Sequence, residues 1–549
     1  MASWSDKAAA KRAALAALIP SDLKIASPPG PEVLNVTGFP FDSILSPRDI
    51  EITETADVGV LLKKMSTGEW TATEVTSAYC KRALIAQQLV NCLTEILVDR
   101  AMARAKELDE HFKATGKTIG PLHGLPISLK DQLDLEGVEL TMGYVGWIGN
   151  ISKKNSVCAQ LLLDQGAIFY LRTNVPQALM FGEADNNIFG RTSNPYNRDL
   201  TCGGSSGGEG ALIGLKGSPL GVGSDLGGSI RIPAAFQGLY GLRPSYNRVP
   251  YCGATNSMLG QEAVPSVLGP LSSSINGLGI FMKAIADAQP WHHDPVALRL
   301  PWNEAAYNLA DHGGENAQLC FAILWDDGVC APMVPYARAL KETKAALEAA
   351  GHKVIDWVPY ESARGSKILI DIYNADGGED IARARALSGE PKLGWSSVLD
   401  ATPKHLSTYE YWQLCHQKTL FIKEHLDHWN ATVAATGTGR PVDAIIAPAS
   451  ATVPSKHGYP AYIYYTGFCN LCDYTAAVFP VTAVDPSVDA KPAPHAFHSL
   501  VDKANYDSYE PEMYRDAPVS LQCIGRKNEE EAVIRMTEIV DAALKASRK

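Results

Sequence analysis

Residues Gly203–Pro233 read GGSSGGEGALIGLKGSPLGVGSDLGGSIRIP, with the glycine-flanked serines Ser205 and Ser229 at either end of a small and apolar run. By composition this could be a flexible linker. Ala211, Leu212, Ile213, Leu215, Leu220, Val222, Ile230, Ile232, Ala234, Ala235 and Phe236 argue against that, because a solvated linker has no use for them. The segment is read as buried. Around Ser229, the DLGGS sequence can gather the peptide N–H groups of Leu226, Gly227, Gly228 and Ser229 near one hydroxyl, which is the chemistry of an oxyanion hole.

Three other glycine-loop readings compete. A dinucleotide fingerprint fails because Gly221-x-Gly223 is followed at the required third position by Leu226. A phosphate loop fails because Lys216 is followed by Gly217 and not by Ser or Thr. Gly204-Ser205-Ser206-Gly207-Gly208 does satisfy G-x-S-x-G, which would make Ser206 a nucleophile served by a downstream histidine such as His457, His495 or His498. That reading leaves the cluster around Ser229 without a role.

Upstream, GPLHGLPISLKDQ places Lys130 at the end of the apolar stretch Leu125–Leu129, a pattern for a buried strand ending in an ammonium. A lysine taken alone is a solvated surface group. Beside two such serines it can act, since Ser and Lys can replace Ser-His-Asp as nucleophile and base. An ordinary lysine, with a pKa of about 10.4, is charged at neutral pH; burial disfavours the charge, and a base needs a value of roughly 7–8. A serine between lysine and nucleophile can relay the proton, because a hydroxyl both donates and accepts.

With GGSSGGEGA and GSDLGGSIRIPA, this set closely resembles the amidase signature family of Ser-cisSer-Lys amide hydrolases. The resemblance extends through TNVPQALMFGEADNNIFGRTSNPYN, GLYGLRPS, VDAIIAPASATVP and APVSLQCIGRKNEEEAVIRM, covering most of residues 55–545. The lead segments ILSPRDIEITE and EVTSAYCKRALIAQQLVNC look most like the fungal acetamidase and general amidase branch. It implies an α/β fold in which a large mixed β-sheet is covered by helices on both faces. It further implies Ser229 as nucleophile, Ser205 as a bridging serine after a cis peptide, Lys130 as base, and an oxyanion hole from the N–H groups of Leu226, Gly227, Gly228 and Ser229. No departure occurs at these positions. By the same resemblance Met142, Tyr144, Trp147, Leu179 and Met180 approach the acyl side, though each could equally be core.

The remaining features bound the function. Cys469-x-x-Cys472 lacks the second pair that a tetrahedral zinc site needs and is read as helical core, and His425-x-x-His428 lacks a metalloprotease glutamate and is read as part of a solvated helix. No metal or cofactor is expected. A net charge of −11 without a long basic block gives no nucleic-acid surface, and no apolar run reaches the 18 or so residues of a membrane span. The N-terminal segment reads as an amphipathic surface helix, with a transit peptide as the weaker alternative. Eleven irregularly spaced cysteines fit a reducing cytosol. Residues 1–55 are expected as a helical extension and 56–549 as one catalytic domain, with helices near 57–65, 73–90, 97–115, 336–350, 407–429 and 528–546. Strands are expected near 168–172, 319–324, 443–447 and 479–483. The expected activity is hydrolysis of a small aliphatic amide such as acetamide. Aryl amides, anilides and carbamates are the alternative, and an ammonia-delivering amidotransferase subunit is a further one. A homodimer is left open.

Overall fold

A computed structural model describes residues 2–393, 405–459 and 462–548. Eleven strands form one sheet: β1 (Leu93–Ile96), β2 (Pro126–Lys130), β3 (Ile168–Thr173), β4 (Leu220–Asp225), β5 (Tyr240–Arg243), β6 (Val267–Ser272), β7 (Cys320–Ile323), β8 (Lys353–Asp356), β9 (Ala444–Pro448), β10 (Ala476–Ala483) and β11 (Pro518–Ile524). Their spatial order is β1-β3-β2-β4-β6-β5-β10-β11-β9-β7-β8. Parallel pairing joins β3, β2 and β4 at one end and β9, β7 and β8 at the other, while the pairs from β4 through β6, β5, β10 and β11 to β9 are antiparallel.

Both faces are buried, and the alternation along the strands shows it. In β7, Phe321 and Ile323 enter one core with Tyr336 and Leu340 of helix Val334–Ala349 and Val533 and Met536 of helix Glu530–Ser547. Cys320 and Ala322 enter the opposite core with Leu369 and Ile372 of helix Ser362–Tyr373, Phe421 of helix Thr408–Ala431 and Phe468 of helix Tyr464–Cys472. Ala444 and Ile446 of β9 divide from Ile445 and Ala447 in the same way. The expected mixed sheet with helices on both faces is therefore present.

The expected helices fall within a few residues of helices at Val58–Ser66, Ala72–Val90, Val98–Thr115, Val334–Ala349, Thr408–Ala431 and Glu530–Ser547. The N-terminal helix Trp4–Ala17 buries Ala8 and Leu15 in the same core as the strands. Cys469 and Cys472 are buried on the helix Tyr464–Cys472. One reading is corrected: His425 is buried, not solvated, with Nδ1 3.1 Å from the Tyr474 hydroxyl and its ring against Phe468, and burial pushes its pKa down to about 4.

Candidate active site

The site forms where β2, β4 and the helix Gly207–Gly214 meet. β4 reads LGVGSD, and its glycines let that helix lie directly on the strand. A Cβ at Gly223 would stand 2.7 Å from Ser206 Oγ, and one at Gly221 would collide with the Glu209 carboxylate. Ser205 and Ser206 are thereby pressed against the end of β2. Lys130 is its last residue and is fully buried. Its Nζ donates to Ser205 Oγ at 2.7 Å and to Ser224 Oγ at 2.8 Å. The Ser224 hydroxyl in turn donates to Gln132 Oε1 at 2.6 Å, and the Gly204–Ser205 peptide is cis.

Burial lowers the Lys130 pKa from the ordinary 10.5 to about 7, with nearby Asp225 and Glu209 opposing the fall. Glu209 is fully buried too, and burial raises its pKa to about 7 against hydrogen bonds from Ser128 and Thr173 and the charge of Lys130.

The Asp225–Ser229 loop is held by its carbonyls. C=O and N–H of one trans peptide point in opposite directions, so fixing the oxygen aims the hydrogen. The Tyr373 hydroxyl donates to Leu226 O at 2.5 Å, which turns Gly227 N–H the other way. Ile232 N–H donates to Gly228 O at 2.7 Å, which does the same for Ser229 N–H. Asn470 Nδ2 donates to Asp225 O at 3.3 Å, freeing Leu226 N–H. The fourth expected donor is different. Thr466 Oγ1 donates to Gly227 O at 2.7 Å, and Gly228 N–H donates to Asp225 Oδ1 at 2.8 Å, so that hydrogen is already committed. Three peptides, at Leu226, Gly227 and Ser229, have no described acceptor. Gly228 itself has φ +129°, and a Cβ there would run into Thr466.

Asp225 anchors the whole loop. Its carboxylate also accepts from Ile230 N, Asn470 Nδ2 and both Nε and Nη2 of fully buried Arg231, each at 2.9–3.1 Å. Burial alone would raise its pKa; the Arg231 charge and hydrogen bonds outweigh that and hold it well below the usual carboxylate range. Sequence reading missed Asp225, Arg231, Ser224 and Gln132. Their signal was present in the tight spacing of charged groups beside the glycine run, but nothing in sequence pairs Ser224 with Gln132.

Ser229 is half-buried, and its hydroxyl has no hydrogen-bond partner among the described residues. Ser206, the elbow candidate, is fully buried with its Oγ 3.3 Å from the N and 3.4 Å from the O of Ser224, and no histidine is among its described partners. Met142, Tyr144 and Leu179 form one apolar cluster with Val175, Ala178 and Ile381, against which Trp147 and Met180 pack. Met180 runs on to Phe181, whose carbonyl oxygen would stand 2.5 Å from a Cβ at Gly204, so this end of the cluster lies next to the Gly204–Ser205 peptide. All five residues expected on the acyl side belong to this cluster or pack against it.

A family model described as Amidase matches residues 74–534. The chain is 42% identical over 544 residues to the acetamidase of Emericella nidulans, covering 99% of this chain and 98% of the relative. It is 42% identical over 545 residues to the acetamidase of Aspergillus oryzae, covering 99% of each. Among solved structures it superposes on a fatty acid amide hydrolase with a TM-score of 0.91 and 32% identity, over 98% of this chain and 95% of that one. With this agreement in sequence and fold, the chain belongs to the amidase signature family and is an amidase.

Proposed function

We propose that the enzyme hydrolyses a small neutral amide through an acyl-enzyme on Ser229. Ser229 Oγ attacks the amide carbonyl while its proton passes through the Ser205 hydroxyl to neutral Lys130 Nζ. The oxyanion that forms is met by the N–H groups of Leu226, Gly227 and Ser229. Collapse breaks the C–N bond as the proton returns from Lys130 through Ser205 to the leaving nitrogen, releasing ammonia or an amine. Water then attacks the ester by the same relay and releases the carboxylate. The observation that carries this reading is the fully buried Lys130 amine on Ser205, together with a half-buried Ser229 hydroxyl that has no hydrogen-bond partner among the described residues.

Ser224 orients the base. Its own proton lies on Gln132 Oε1, so toward Lys130 it can only accept. One lysine N–H is thereby tied to Ser224, and the lone pair of the neutral amine is left for Ser205. The names of the fungal relatives support acetamide or another short aliphatic amide as substrate. All eleven cysteines are free, which supports a cytosolic setting. Among the described residues no helix is long and apolar enough to cross a membrane.

The test is Ser229→Ala together with active-site labelling. We expect no acetamide turnover from the variant, and a fluorophosphonate adduct on Ser229 in the wild type by peptide mass spectrometry. An adduct on Ser206, or an active variant, overturns the assignment.

A further inference from the structure

The apolar cluster whose Met180 end lies next to the Gly204–Ser205 peptide is assembled from segments that are distant in sequence, and one buried carboxylate joins them. Met142 and Tyr144 lie just before the short helix Val145–Trp147, Leu179 belongs to the turn Gln177–Leu179, and Ile381 comes from helix Glu379–Ala386. That last helix lies across the first segment. A Cβ on Gly146 would stand 2.7 Å from Leu387 Cβ, so only glycine admits so close an approach.

Glu390 follows the helix and is 5% exposed. Its Oε1 accepts from Val145 N at 2.8 Å and from Ser388 Oγ at 3.2 Å. Its Oε2 accepts from Gln177 Nε2 at 2.7 Å and from Asn187 Nδ2 at 2.9 Å. The carboxylate thus holds the Ile381 helix onto both loops that supply the other pocket side chains. Its geometry constrains the loops most where they are least relaxed: Met142, Ala178 and Leu179 all have positive φ, at 49°, 69° and 62°, a region that side chains other than glycine seldom occupy. Asp380 adds a second tie, accepting from Met258 N at 2.7 Å.

We propose that helix Glu379–Ala386 is the roof of the acyl pocket, with Ile381 setting the acyl length admitted and Glu390 acting as a positioning residue that fixes the roof to the pocket floor. This rests on the amidase reading above and deepens it. A roof held by a fully hydrogen-bonded carboxylate keeps the pocket narrow, because lifting it would strip three donors on the floor, Val145 N, Gln177 Nε2 and Asn187 Nδ2, of this acceptor. A narrow apolar pocket beside the Gly204–Ser205 peptide would favour short acyl groups over long ones.

The experiment compares kcat/KM for acetamide and hexanamide, with the pH profile of each enzyme recorded in parallel. Ile381→Ala is expected to raise the hexanamide-to-acetamide ratio about tenfold, the lower end of discrimination in an apolar pocket. Glu390→Ala is expected to move the ratio in the same direction, mainly by raising KM for acetamide, with the pH profile unchanged. Glu390→Gln is expected to fall between Glu390→Ala and wild type, since its amide oxygen can still accept from Val145 N and its N–H can go to Gln177 Oε1 after an amide flip, while Asn187 Nδ2 loses the acceptor it has at Glu390. If Glu390→Ala does not fold, Asn187→Ala releases the same clamp from the opposite side and is read instead. An unmoved ratio in Ile381→Ala, or an equal loss on both substrates in the clamp variants, overturns the proposal. A wild-type chain that hydrolyses neither amide overturns the amidase reading itself, which is a different outcome.

Discussion

Lys130→Met replaces a buried ammonium with an apolar chain of similar length, and its effect on stability is expected to depend on pH in a defined way. In the folded chain Lys130 loses its proton near pH 7, against 10.5 for an ordinary lysine, a difference of about 5 kcal/mol. The sign follows from proton binding. Between the two values the unfolded chain holds the proton and the folded chain does not, so stability rises with pH across that window. The cost of burying Lys130 is complete below about pH 7 and is removed as pH approaches 10.5. Methionine escapes it but gives up hydrogen bonds to Ser205 and Ser224, at about 1 kcal/mol each. The variant is therefore expected to be more stable than wild type by about 3 kcal/mol at pH 6, with a difference near zero at about pH 9. Urea unfolding at the two pH values reads this directly. The companion kinetic expectation is that wild-type kcat/KM rises about tenfold per pH unit up to about 7 and then levels, as a neutral lysine base requires. Glu209 also titrates near 7, so Glu209→Gln separates the two. Its rise should persist and move to lower pH, because that carboxylate opposes the fall in the Lys130 pKa. A methionine variant that is less stable than wild type by the same amount at both pH values would refute the reasoning.

Gly228→Ala places a methyl group against Thr466 at φ +129°, so the loop must shift and the three N–H groups that have no described acceptor lose their aim. Turnover is expected to fall by about 10²–10³ with KM little changed, read by steady-state kinetics. Ser224→Ala removes the acceptor that turns Lys130 toward Ser205. It is expected to lower kcat while an amide-bond substrate still binds, and Ser224→Thr, which keeps the hydroxyl, should recover most of the rate.

Residues that lie next to one another in sequence were legible without the structure. The spacing of glycines, serines and the strand-end lysine led to Lys130, Ser205 and Ser229, and periodicity located the long helices within a few residues. Resemblance to the amidase signature family singled out five residues for the acyl side, and the structure gathers them in and around one apolar cluster, which is what either that role or a core role requires. What stayed hidden was what depends on partners far along the chain. Gly228 looks like its neighbours in sequence, yet its N–H is spent on Asp225 because Thr466, far along the chain, turns its peptide over. His425 carries a polar side chain in a charged helix, and only the packing of Trp357, Phe468 and Tyr474 around it makes it a buried ring. Glu390 sits in a stretch with no recognisable motif, and its importance comes from the three loops that converge on it.

The order of strands in the sheet also bears on how the chain is made. A ribosome has synthesised every member of the proposed Ser-Ser-Lys set once Ser229 emerges, yet β10 and β11, which sit between β5 and β9, are among the last segments to appear. Until then β1 to β6 and β7 to β9 are two half-sheets, each with an open edge, and the Arg231 side chain lacks Asn470 and Gln522 as partners. The nascent enzyme thus carries its chemistry early and its closure late. Unpaired edges of this kind are where a growing polypeptide calls on chaperones, and a chain stopped short of β11 would hold every member of that set without a joined sheet to align them.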